Sequence, residues 1–210
     1  MVRVYFLKDG RVQPVAREVP KTQAVAAASL HELANGPTHN ESGIGVTSDV
    51  RSDWEYSDVV IKNGSAVIGA ADQLSRTALA QVVYTMTQFP TVKAVEIDAK
   101  RYTRADFEDE TPIILVESPL PFESVSNPIH ATGTANTFEA TFQYDVVGPD
   151  GEVVDTHFVT ATSGSGRRGT FDFTTKPFEA SGDGALVVYE LSAKDGSRIH
   201  EVRIPVHFAG

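Results

Sequence analysis

Residues 164–169 read GSGRRG, which fits G-x-G-x-x-G letter for letter. In that pattern the glycines let backbone approach a pyrophosphate, and two arginines would add positive charge beside it. Such a loop needs a strand before it and a helix after it, so that a helix N-terminus faces the phosphate. Here THFVTAT precedes and GTFDFTT follows, and both read as strands. The second is rich in Thr and Phe, which favour strands, and has no helical period. The glycines are therefore expected to loosen a hairpin loop, and no cofactor is expected. What survives is a local positive tip. Arg167 and Arg168 are two of only six basic residues in 113–210, which makes them candidate partner contacts.

Other chemistry is weaker. The six histidines form no H-x-H, H-x-x-H or H-E-x-x-H spacing, so no metal site is expected. A Ser-His-Asp triad assembles in space, and His157 or His200 with a loop serine would supply one, but no G-x-S-x-G elbow is present. The chain is expected not to be an enzyme. Asp106, Glu108, Asp109 and Glu110 lack the EF-hand pattern and read as a solvated segment. Trp54 and Tyr56 lie in a polar stretch. An exposed pair would anchor a protein partner or stack on a cell-wall glycan. The plainer reading folds one or both back over a core.

The elements that would hold these residues divide the chain. Val2, Val4 and Phe6 alternate as a strand, Asp9-Gly10 turns, and a short second strand runs through Val15 to Val19. Thr22 is placed to cap a helix that runs to about Asn35 and stops at Gly36-Pro37. Residues 37–50 read as loop. Asn63-Gly64 between apolar runs marks a hairpin. Ser75 to Phe89 reads as a helix, with Leu74 just before it and Ala78, Leu79, Val82, Val83 and Met86 in it at helical spacing, followed by a strand at Val92–Ile97. This order predicts an α+β domain over 1–99, a small sheet with two helices.

Residues 100–112, KRYTRADFEDETP, read as a charged linker. Beyond it, seven strands are expected: 113–117, 129–134, 138–147, 153–161, 169–175, 186–192 and 199–208. Phe138, Ala140, Phe142 and Tyr144 would share one face. About seven short strands in roughly 100 residues predict an all-β immunoglobulin-like sandwich over 113–210.

Composition narrows the partners. Zero cysteines exclude disulfides and thiolate chemistry. Net charge is −10, with 12 basic and 15 acidic residues in 1–112 and 6 basic and 13 acidic in 113–210. An acidic chain without a basic stripe suits neither nucleic acid nor anionic lipid. No apolar run reaches the roughly 18 residues of a membrane-spanning helix.

Residues 1–99 resemble the GerMN domain of bacterial sporulation and germination proteins, through VRVYFL, AVAAASLHELANGPT, GIGVTSDV and LAQVVYTMTQFPTVKAVEI. Residues 113–208 resemble Gmad2, an immunoglobulin-like spore-germination domain, through ILVESPLPFESVSNPIHATGTANTFEATFQYDVVGPDGEVV and GTFDF. GerMN domains are similar to ring-building modules of secretion and sporulation channels. The resemblance implies protein-interaction modules of the cell envelope that bind other envelope proteins or self-associate. It also implies an exported lipoprotein, with its signal or lipid anchor upstream of Met1.

Overall fold

In the first unit, Met1–Thr111, alternation turns Val4 and Phe6 to one side of a strand and Tyr5 to the other, and all three are fully buried. That strand, β1 (Val2–Lys8), pairs antiparallel with β2 (Arg11–Arg17) across the Asp9-Gly10 turn. The computed structural model describes residues 1–20, 24–56, 58–70 and 73–209. α1 (Val25–Asn35) ends at Gly36, whose φ of 80° needs glycine. The expected cap Thr22 lies outside the described residues. The stretch 37–50, expected to be loop, contains α2 (His39–Gly43) and β3 (Val46–Thr47). Thr38 and Glu41 form a capping box, each accepting a hydrogen bond from the other's backbone N–H.

The expected hairpin forms between β4 (Val60–Lys62) and β5 (Ser65–Ile68), with positive φ at both Asn63 and Gly64. α3 (Arg76–Met86) starts at Ser75, whose hydroxyl accepts from Ala78 N at 3.1 Å. Then come β6 (Ala94–Ile97), parallel to β5, and β7 (Lys100–Tyr102). The strands divide between two small sheets, ordered β2-β1-β3 and β4-β5-β6-β7, rather than one.

The expected linker is part of this unit. Residues 100–102 form β7, and Arg104–Glu110 form a 3-10 helix that buries Phe107. Arg76 lies over the Phe107 ring at 5.2 Å and bonds Glu110 Oε1 at 2.6 Å, while Tyr84 and Thr111 share a buried hydroxyl bond of 2.6 Å. These basic and aromatic partners lie up to 34 residues away in sequence; they pair Glu110 and cover Phe107, while Asp106 and Asp109 remain exposed.

α3 also completes β1. β3 pairs only with Leu7 and Lys8, which leaves one side of Arg3 and Tyr5 without a strand. Thr85 Oγ1 accepts from Tyr5 N at 3.0 Å, and Gln81 Nε2 donates to Tyr5 O at 3.3 Å. Gln88 Oε1 accepts from Arg3 N at 2.8 Å, and its amide donates to Arg3 O. Gln81, Thr85 and Gln88, three and four residues apart, thus do for β1 what a strand would. The register explains Pro14 as well: it lies opposite Tyr5, whose backbone groups face α3, so no ladder bond is lost there.

The second unit, Pro112–Gly210, is a two-sheet sandwich. Its strands are β8 (Ile114–Ser118), β9 (Ser124–Val125), β10 (His130–Ala135), β11 (Thr141–Val147), β12 (Val153–Thr160), β13 (Gly169–Thr174), β14 (Gly182–Leu191) and β15 (Arg198–Phe208). The sheets are ordered β13-β10-β8 and β12-β11-β14-β15-β9. All seven expected strands are present, with β9 in addition. The core holds Phe142 edge-on to Phe171 at 4.9 Å and Tyr144 stacked on Phe173 at 4.8 Å. Gly133 is dictated by this packing, since a Cβ there would lie 2.0 Å from Leu115 O and 2.6 Å from the Phe171 ring. Phe138 departs from expectation. Glu139 and Ala140 take φ of 53° and 58°, which breaks the strand and leaves Phe138 62% exposed.

Candidate functional site

The glycine loop crosses between sheets, since β12 and β13 belong to different ones. It is docked rather than loose, which corrects the expectation of a flexible hairpin. Ser165 N donates to Thr137 O at 2.9 Å, Gly166 N to Asn136 Oδ1 at 2.9 Å and Arg167 N to Gly164 O at 3.3 Å. Successive amides that would cradle a phosphate are already bonded to the protein. A Cβ at Gly164 would lie 2.4 Å from Thr137 O, so this glycine permits close backbone approach.

The two arginines part company. Arg167 is exposed, whereas Arg168 is half-buried and donates to Pro112 O at 2.9 Å and Thr134 Oγ1 at 3.3 Å. Arg168 therefore ties the loop to its own sandwich, and the positive tip reduces to Arg167.

Trp54 and Tyr56 pack with their rings tilted by 33° and 4.8 Å between centroids. Trp54 is only 6% exposed, because its ring is folded into the first unit. Tyr56 is half-buried beside it, and burial raises its hydroxyl pKa. A sugar-stacking platform needs an open ring face, which Trp54 does not offer. Trp54 lines a pocket of about 230 Å³ with Asp49, Arg51, Gln73, Leu74 and Ser75. Arg51 is forked onto Asp53 at 2.8 and 2.5 Å.

His130 faces Asp172 at 2.7 Å and His207 faces Asp183 at 2.9 Å, so these imidazoles meet carboxylates rather than serine hydroxyls. The acidic group best held in the first unit is Glu41. Burial works to raise its pKa, but the Arg17 guanidinium at 2.5 and 2.7 Å and the Thr38 amide outweigh this and hold it below the usual carboxylate range. In the second unit Asp145 is buried on the outer sheet face, bonded by Arg198 at 2.6 Å and by the Tyr189 hydroxyl at 3.1 Å. Burial, then Asp145, raises the Tyr189 pKa, and Arg198 lies over that ring at 3.9 Å.

Sequence reading did not single out the outer strand β12. Val153, Val154 and Phe158 are 48%, 37% and 59% exposed, three of the nine large apolar side chains so exposed among the described residues. The strand itself was legible, but its place at a sheet edge was not.

An α+β module followed by an immunoglobulin-like sandwich is the class of protein this geometry defines. Residues 3–100 match the Germane family, described as sporulation and spore germination. Residues 113–197 match Gmad2, the immunoglobulin-like domain of bacterial spore germination. These matches give the chain a Germane domain followed by a Gmad2 domain.

Among solved structures, the tandem GerMN domains of the sporulation protein GerM from Bacillus subtilis are 25% identical, with a TM-score of 0.41. That likeness covers 46% of this chain and 37% of the other. A C. elegans MSP family member is 14% identical over 46% of this chain and 98% of its own, with a TM-score of 0.27. Both scores are too low to carry an argument. No curated protein matches the chain. No helix among the described residues is long and apolar enough to cross a membrane.

Proposed function

We propose that this chain is a non-catalytic assembly module of the bacterial cell envelope, acting in sporulation or germination by binding other proteins or itself. The observation that carries the reading is the succession of a Germane and a Gmad2 domain over nearly the whole chain. The exposed features fit it: apolar side chains on strands β4 and β12, and the outward Arg167 at the tip of the glycine loop. The polar groups with the best geometry, Glu41 with Arg17 and Asp145 with Arg198, bind elements of their own unit together. Export to the envelope follows from the same reading.

Cross-linking in envelope fractions, with light scattering on the purified chain, tests this. Capture of a specific envelope partner, or concentration-dependent self-association, is expected. A strict monomer that captures no protein overturns it.

A further inference from the structure

β12 is the last strand of the five-stranded sheet, with β11 on one side and no strand on the other among the described residues. The pairing with β11 fixes what the outer edge offers. Ala161 N donates to Ala140 O at 2.8 Å, and the register continues through Phe142 with Val159, Tyr144 with His157 and Val146 with Asp155. Antiparallel pairs alternate between hydrogen-bonded and non-hydrogen-bonded. Asp155, His157 and Val159 therefore direct their backbone groups to β11, and Thr156, Phe158 and Thr160 direct theirs outward.

Proteins blunt such edges with Lys, Pro or brevity. β2 carries Pro14, β7 reads KRY and β9 has two residues; β8 and β13 lack Lys, Arg and Pro but have five and six residues, whereas β12 runs eight, VVDTHFVT, without them, its bulge lying at Val154.

The strand is complementary to itself. In an antiparallel pair of copies centred on Thr156, Thr156 meets Thr156 and Phe158 meets Val154 on the outer face. On the inner face Asp155 meets His157. Thr156 and Phe158 are positions whose backbone groups point outward, as a hydrogen-bonded ladder across the new edge requires. Opposite apolar, Thr–Thr and acid–imidazole pairs each favour pairing. Asp155 uses Oδ2 for the Tyr144 hydroxyl and Lys176 N, which holds the carboxylate in place at the edge. Moving the centre by one residue toward either end sets Asp155 against Asp155 or His157 against His157. The β11–β12 bulge at Val154 ends the flat stretch on that side.

We infer that two copies of this chain pair through β12, antiparallel and centred on Thr156, to make a ten-stranded sheet across a two-fold axis. This inference rests on the association reading above and names its partner and surface. The contact is short and belongs to the small, transient class of interface.

Because the chain has no cysteine, Thr156→Cys places one thiol at the axis, and Thr160→Cys places one on the same edge away from it. Under mild oxidation or with a short bismaleimide, the full chain carrying Thr156→Cys is expected to form a covalent dimer, and Thr160→Cys to remain monomeric. Sedimentation over a concentration series is expected to show the unlabelled chain self-associating. Thr156→Pro, which removes an outward N–H from each copy but no β11 bond, is expected to weaken this by roughly tenfold, with an unchanged circular dichroism melt. Phe158→Ser gives the same loss without touching the backbone. Equal cross-linking of both cysteines overturns the register. A monomer at every concentration overturns the self-pairing even where an envelope partner is captured, and the association reading falls only when that capture fails too.

Discussion

Two strand edges in this molecule are treated in opposite ways. In the first unit the incomplete side of β1 is closed by Gln81, Thr85 and Gln88, so that Arg3 and Tyr5 have their backbone groups satisfied by side chains. In the second unit β12 ends its sheet with no strand paired to its outer edge among the described residues. The contrast teaches where a small domain places polar side chains. A buried edge must be satisfied or it costs several kcal/mol. An edge in water is satisfied by solvent and remains available to another chain.

The largest effect should come from opening the closed edge. Gln81→Leu takes the amide partner from Tyr5 O in a fully buried place and from the part-buried Asp49 N. A loss of about 3 kcal/mol is expected, read from urea unfolding. An unchanged midpoint would mean that α3 does not close the edge.

The next test strikes the clamp at the end of β2. Glu41→Gln breaks the fork with Arg17 and should cost on the order of 2 kcal/mol, below the 3–5 of a fully buried pair because Arg17 retains some exposure. The Glu41 pKa is depressed in the fold. The stabilisation is therefore complete above the ordinary carboxylate pKa and is lost as pH falls through the lower, folded value. Thermal melts from neutral pH to pH 3 should show the parent losing an increment that Glu41→Gln lacks throughout, and parallel curves would contradict this.

Within the second unit, Arg168→Ala should cost about 1–2 kcal/mol, since its bonds to Pro112 O and Thr134 fasten the glycine loop. Arg167→Ala should stay within about 0.5 kcal/mol. Equal costs by chemical denaturation would erase the distinction between them. The smallest effect is expected at the open edge, where Phe158→Ser should move the stability of dilute monomer by no more than about 0.5 kcal/mol.

What the sequence disclosed follows the range of the interactions. Alternation and turn residues are local, so the seven sandwich strands, the Asn63-Gly64 hairpin and α3 could be read directly. The Thr38-x-x-Glu41 box was equally local, and a capping search would have found α2. Phe138 misled because a period-two pattern ran back through Glu139 and Ala140, whose positive φ breaks it. Residues 100–111 misled because Arg76 and Tyr84, which cover them, come from α3. The candidate site followed the same rule. Arg168 turned inward through partners distant in sequence, and the exposure of β12 depends on which strands do not pair with it.

The glutamine-and-threonine stripe on α3 also bears on how the first unit folds. Arg3 and Tyr5 find partners 85 and 80 positions away, at Gln88 and Thr85. As the chain leaves the ribosome, β1 emerges early but cannot be completed until α3 has followed it. Loop closure over such separations slows folding, and no fragment that stops short of Gln88 contains the full set of bonds on which its opening strand depends.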